Sequence, residues 1–250
     1  MLLQLERLAK SFKGLMAVHF VSMHVAEGEI LGLIGPNGAG KTTLFNLISG
    51  VFPPSQGRVT FEGNDISATS AHRRCWMGIA RTFQLIRPFP QLTVVENVAV
   101  GRMYGHDPVK NRRQAESEAR EILERVGLAH RGADKAHSLT LVDRKRLELA
   151  RALATRPKLL LLDELLAGLN PSEVLVSMEL IRSIRDMGIT IIMVEHLVKA
   201  VFGIADRIVV LNAGDKIAEG TPEMIAQNRR VIDAYLGKSA LDTLEDIRNQ

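Results

Sequence analysis

Gly35-Pro36-Asn37-Gly38-Ala39-Gly40-Lys41-Thr42 is the stretch whose residue types and spacing specify chemistry most directly. It matches G-x-x-x-x-G-K-[ST], in which glycines let backbone N–H groups close around a phosphate. The helix that follows points a partial positive charge at the anion. Lys41 would reach the β- and γ-phosphates of a nucleotide, and the Thr42 hydroxyl would bind Mg²⁺.

Three more polar groups end apolar runs. Gln84 closes Ile79-Ala80-Arg81-Thr82-Phe83. Asp163-Glu164 follows Leu159-Leu160-Leu161-Leu162, and Glu195-His196 follows Ile189 to Val194. A buried parallel strand delivers such residues to the edge where open α/β sheets bind ligands. Beside a phosphate loop, an Asp so placed holds Mg²⁺ and a following acid can deprotonate water. Each group alone has a blander reading as a strand end or a surface amide. Their convergence on one edge favours the functional one.

The elements that must position these groups follow from periodicity. Residues 2–8 and 18–25 read as strands, with Val18, Phe20 and Met23 inward. Ser11 to Gly14 is the turn between them, and it carries Phe12, a ring able to stack on a nucleobase. Ile30 to Ile34 is the strand before the loop, Thr42 to Ser49 the helix after it, and Gly50 its C-cap. Val59 to Asp65 reads as a strand and hairpin turn, and 79–84 as a core strand. From about 92 to 137 the pattern is helical and charged, with Ala115, Ala119, Ile122, Leu123 and Val126 on one face. Residues 143–155 form another amphipathic helix. Asn170-Pro171-Ser172-Glu173 starts a further helix with an N-cap, Pro at N1 and Glu at N3. Arg207 to Ala218 makes a hairpin. The expected fold is α/β: a phosphate-loop core with an antiparallel β sub-domain and an inserted helical sub-domain (about 92–142). One domain spans 1–237, and 238–250 is a polar tail.

Bulk properties agree. The chain has 250 residues, 46% of them hydrophobic, enough for a sizeable core. No apolar run approaches the roughly 18 residues that span a bilayer. Met1-Leu2-Leu3-Gln4-Leu5-Glu6 lacks signal-peptide features, and one cysteine, Cys75, fits a reducing compartment. The pI is near 9.4, but a net charge of +4 with interleaved acids argues against a nucleic-acid stripe.

At these residues the chain resembles the ATP-binding subunit of an ABC transporter, over residues 1 to about 237. Gly35 to Thr42 corresponds to Walker A, Gln84 to the Q-loop, Leu159 to Glu164 to Walker B, Ala167 to Asn170 to the D-loop, and His196 to the switch histidine. Arg81 to Gln84, Thr93 to Val98, Ala167 to Pro171 and Gly220 to Glu223 are similar to ATPases of branched-chain amino acid importers. The resemblance implies that Phe12, Gly35, Pro36, Asn37, Gly38, Ala39, Gly40, Lys41, Thr42 and Thr43 contact ATP. It implies Glu164 as base, Gln84 and His196 as γ-phosphate sensors, and Thr42, Gln84 and Asp163 around Mg²⁺. The implied partners are a paralogous ATPase (or a second copy of this chain), two membrane permeases and, indirectly, a periplasmic binding protein. The implied place is the cytoplasmic face of the inner membrane.

The signature motif departs from the family's. It aligns with Leu139-Thr140-Leu141-Val142-Asp143, twenty residues before Asp163, so Val142 replaces glycine. Thr140, Val142 and Asp143 are the residues expected to face a partner's ATP. A positive φ would strain Val142, and Asp143 would repel ATP unless Arg144 or Lys145 offsets it. Leu165 stands where proline is usual, and Asn170 ends the D-loop. The segment from Arg87 to Tyr104, with Phe89 exposed, is the expected permease contact. Rival readings are an exporter ATPase such as that of lipopolysaccharide transport, a soluble non-transport ABC ATPase, and a small-molecule kinase. The single cassette without a heptad insertion disfavours the second, and the kinase needs no signature helix.

Overall fold

The computed structural model describes residues 1–84 and 87–235, so the expected tail, 238–250, lies outside the described residues. The chain begins with β1 (Leu3–Phe12), β2 (Leu15–Val25) and β3 (Ile30–Ile34), then α1 (Lys41–Ser49). Next come β4 (Gln56–Phe61), β5 (Asn64–Asp65), α2 (Ala71–Met77) and β6 (Ile79–Arg81). Three helices follow, α3 (Val94–Tyr104), α4 (Arg112–Arg125) and α5 (Leu141–Ala154). The rest alternates: β7 (Leu159–Asp163), α6 (Pro171–Asp186), β8 (Thr190–Val194), α7 (Val198–Ile204), β9 (Arg207–Asn212) and β10 (Asp215–Gly220). Two short helices, α8 (Pro222–Ala226) and α9 (Arg229–Tyr235), end the described chain.

The strands form two sheets. One has the order β2-β1-β4-β5 and is antiparallel throughout. The other runs β10-β9-β3-β8-β7-β6 and is parallel except for β10. Parallel pairing brings the C-terminal ends of β3, β6, β7 and β8 to one edge, which places the phosphate loop, Gln84, Asp163-Glu164 and His196 together.

Both faces of the parallel sheet are covered, so its strands are apolar without alternation. Leu160, Leu162, Ile191 and Met193 belong to a core cluster shared with residues of α3 to α7. Leu159, Leu161, Ile192 and Val194 face α1 and the antiparallel sheet. Gly32 fits the close approach of α7, since a Cβ there would lie 2.4 Å from Val201 Cγ1. Thr93 and Asn170 open α3 and α6 with reciprocal capping boxes, to Glu96 and Glu173.

Three local expectations need correction. Phe20 points outward instead of into the core. The β1–β2 register slips around Leu5 to Lys10, Arg7 and Phe20 both take positive φ, and the Phe20 ring meets the Arg7 guanidinium at 5.3 Å. Phe12 belongs to the end of β1, and the turn is only Lys13-Gly14, both at positive φ. The strand expected over 79–84 stops at Arg81. Thr82 ends it by turning its hydroxyl to accept from the Asp163 N–H at 3.1 Å, which frees Phe83 and Gln84 to leave the sheet.

Candidate functional site

The phosphate loop needs its glycines. Gly38 and Gly40 take φ of 80° and 98°, and a Cβ on Gly40 would sit 2.5 Å from the Ala17 carbonyl oxygen. The β9–β10 turn braces the loop, since the Gly214 N–H donates to the Ala39 carbonyl at 3.1 Å. Asn37 to Thr43 line one hollow with Ala17, Glu164 and His196. Lys41 is buried there. Its Nζ donates to the carbonyl oxygens of Gly35 (2.6 Å) and Pro36 (3.0 Å). Burial lowers its pKa, opposed by the charges of Glu164 and Asp163.

Glu164 is the meeting point of the site. Gln84 Nε2 donates to its Oε2 at 2.6 Å, and His196 Nε2 lies 2.8 Å from its Oε1. The Glu164 side chain is 13% exposed and that of His196 46%. Glu164 also takes φ 52°, a left-handed conformation rare for glutamate and stored where the fold over-determines it. Its N–H donates to the Val194 carbonyl at 2.9 Å, which pins the turn to β8.

Thr42, Gln84 and Asp163 line a neighbouring cavity of about 510 Å³. A hydroxyl, an amide oxygen and a carboxylate are hard oxygen donors of the kind Mg²⁺ prefers, and phosphate oxygens complete such a shell. Among the described residues no cluster of three His, Cys, Asp or Glu could hold a metal by itself. The residues therefore fit Mg²⁺ held jointly with a nucleotide.

Other expected residues stand apart. Phe12 is partly exposed, packs edge-on against Phe52 at 5.3 Å, and is not among the residues lining the phosphate-loop hollow. Thr140 is the N-cap of α5. Its hydroxyl accepts from the Asp143 N–H at 3.2 Å and donates to Asp143 Oδ2 at 2.9 Å. Val142 lies inside α5 with no positive φ, so the expected strain does not arise. Nor do Arg144 and Lys145 offset Asp143. Arg144 donates to the His137 carbonyl, and Arg131 Nη1 is the cation 3.7 Å from Asp143. Phe89 is exposed, its backbone clipped by buried Asn97 and its ring 5.4 Å from the Arg151 guanidinium.

Glu195 and Arg81 join the site without having been assigned roles from sequence, and Lys145 joins it in a role other than the expected offset to Asp143. Lys145 Nζ donates to the carbonyls of Glu164 (3.1 Å) and Leu165 (2.8 Å), fastening α5 to the Glu164 turn. Buried Glu195 accepts from the Leu166 N–H at 2.8 Å. Burial pushes its pKa up to about 7, opposed by that hydrogen bond and by Lys145. Arg81 pairs with Asp163. An acid beside His196 and a basic residue one turn into α5 were the available signals, but only tertiary contact gives them partners.

Fold and site together define a nucleotide-hydrolysing cassette built on a phosphate loop. The ABC transporter family profile matches residues 18–167, and the profile described as branched-chain amino acid ATP-binding cassette transporter matches 216–240. The chain is 42% identical over 254 residues to the high-affinity branched-chain amino acid transport ATP-binding protein LivG of Salmonella typhimurium, covering 95% of this chain and 98% of that one. BraF of Pseudomonas aeruginosa, with the same described role, is 39% identical over the same shares. The lipopolysaccharide export system ATP-binding protein LptB of Escherichia coli is 36% identical, over 93% and 96%. A nucleotide-free ATP-binding cassette from an ABC transporter superposes with TM-score 0.86 at 32% identity, covering 95% of this chain and 99% of that one. This chain belongs to the ABC transporter family, and it is an ATP-hydrolysing cassette.

Proposed function

We propose that this chain binds Mg²⁺–ATP and hydrolyses the γ-phosphate to power an importer of branched-chain amino acids or related small solutes. The observation that carries the ATPase mechanism is the suspension of Glu164 between Gln84 and His196 beside the phosphate loop. Phosphoryl transfer needs positioning and charge neutralisation more than covalent chemistry. Lys41 and the loop N–H groups hold the β- and γ-phosphates. Thr42, Asp163 and the Gln84 side-chain amide oxygen would hold Mg²⁺, which would neutralise developing phosphate charge. Glu164 accepts the proton of the attacking water, and His196 and Gln84 orient that water against the γ-phosphate.

Substrate class rests on the LivG and BraF likeness and the match over residues 216–240. The chain would work at the cytoplasmic face of the inner membrane with a paralogous ATPase, two permeases and a periplasmic binding protein. Exposed Leu141, beside Val142 at the start of α5, suits contact with the partner ATPase. Phe89 and the segment to Tyr104 suit contact with a permease. Uptake of labelled leucine in cells deleted for this gene tests the transport reading. Lost uptake, restored by the intact chain, supports import. Intact uptake with a defective outer-membrane lipopolysaccharide layer would instead favour export.

A further inference from the structure

Arg81 and Asp163 form an ion pair in the interior. Arg81 Nη2 donates to Asp163 Oδ2 at 2.6 Å, with side chains 7% and 5% exposed. Further contacts hold the guanidinium in place. Nη1 donates to Asn46 Oδ1 (2.5 Å) and Ser49 Oγ (3.3 Å), both on α1. The Phe45 and Phe83 rings lie 5.6 and 5.2 Å from it. Nε is buried without a hydrogen-bond partner, so the group is placed for the acid at some cost in hydrogen bonding. Arg81 also lines the cavity shared by Thr42, Gln84 and Asp163.

We propose that Arg81 is a built-in counter-cation to the metal-holding acid and that it sets the metal affinity of the site. The inference rests on the reading of Asp163 as a Mg²⁺ ligand. Without nucleotide, Asp163, Glu148 and Glu164 face Arg81, Arg87, Arg151 and Lys41 across this cavity and the adjoining phosphate-loop hollow, so the acids do not outnumber the cations. A bare divalent ion gains no net attraction and meets a guanidinium already on the carboxylate. The phosphates of ATP supply the missing negative charge, so metal enters only with nucleotide. Arg81 then yields part of Asp163 to the ion while Asn46 and the two rings keep it close. The device leaves the nucleotide-free cassette stable and metal-free, and it makes Asp163 available in step with ATP.

The test uses Mn²⁺ as the probe, with free ion followed by electron paramagnetic resonance on the purified full chain. Arg81→Gln and Arg81→Met remove the charge. The methionine keeps the length that fills the slot between the rings, so a folding failure of one variant leaves the other to be read. Without nucleotide, either variant is expected to bind Mn²⁺ about tenfold or more tightly than wild type, and Arg81→Lys to stay near wild type. Adding Asp163→Ala is expected to abolish the gain. Unchanged or weaker Mn²⁺ binding in the charge-removing variants would overturn the proposal, as would a gain that survives Asp163→Ala. Asp163→Ala alone separates the two readings. If it leaves Mn²⁺–ATP binding intact, Asp163 is not the metal ligand. If it weakens that binding while loss of the Arg81 charge changes nothing, only the counter-cation role fails.

Discussion

His196 Nε2 stands 2.8 Å from Glu164 Oε1, so the second residue after β8 grips the first residue after β7. The contact lies across adjacent parallel strands, whose register pairs Asp163 with Val194. Each side chain thus depends on the other strand for its place. On the proposed mechanism, a water attacking a γ-phosphate would enter between them, exchanging the direct contact for one bridged by the nucleophile.

His196→Ala should therefore remove orientation and leave the nucleotide cradle intact. We expect ATP turnover in the assembled transporter to fall about 10²-fold, with ATP affinity little changed. Equilibrium binding of a fluorescent ATP analogue beside phosphate release separates the two quantities. A variant that loses binding and keeps turnover per bound ATP would show that the histidine supports the cradle.

Glu195 gives the fold a pH dependence. Its carboxyl rises from an ordinary 4.5 to about 7 through burial. A raised carboxyl pKa means the folded state binds more protons, so its contribution to stability is full below 4.5 and lost as pH rises through 7. Glu195→Gln keeps an oxygen for the Leu166 N–H and cannot ionise. The stability of the variant relative to wild type should increase between pH 5 and pH 8 by about 1–3 kcal/mol, read from urea denaturation. A pH-independent difference would mean that Lys145 fully compensates the buried charge.

In the proposed pairing with a second ATPase, the altered signature would bear on the partner's ATP site. Val142 is relaxed in α5, and Thr140 and Arg131 hold Asp143. What remains different is a branched side chain where a phosphate would approach backbone. The site completed by Thr140 to Asp143 should be the slower of two in a heterodimer. Glutamine in place of the catalytic glutamate, introduced in one subunit at a time, should cost more in this chain than in its partner. Equal losses, or a larger loss from the partner's mutation, would contradict this.

Much of the site was legible because parallel strands end on one edge, so three apolar runs with polar ends, beside the strand before the phosphate loop, already implied convergence. Capping chemistry fixed the start of α6 in the same way, whereas the Thr93–Glu96 box that opens α3 emerges only in the structure. Phe20 was not legible, since a bulge reverses inward and outward by slipping one register position. The end of β6 at Arg81 depends on Thr82 bonding to Asp163, a contact between strands far apart in sequence. Arg81, Lys145 and Glu195 share this feature. Their residue types are ordinary for a charged surface, and only the fold gives them partners at Asp163 and the Glu164 turn.

In the proposed mechanism Glu164 is the base of an ATPase. The most direct test of this role is Glu164→Gln in the assembled transporter, followed by phosphate release and nucleotide retention on the same sample. The amide keeps the size of the side chain and loses the basic oxygen. We expect hydrolysis to slow by about 10²-fold or more while ATP still binds and the ATP-bound closed dimer accumulates. Wild-type hydrolysis in the variant, or failure to bind ATP, would contradict the account.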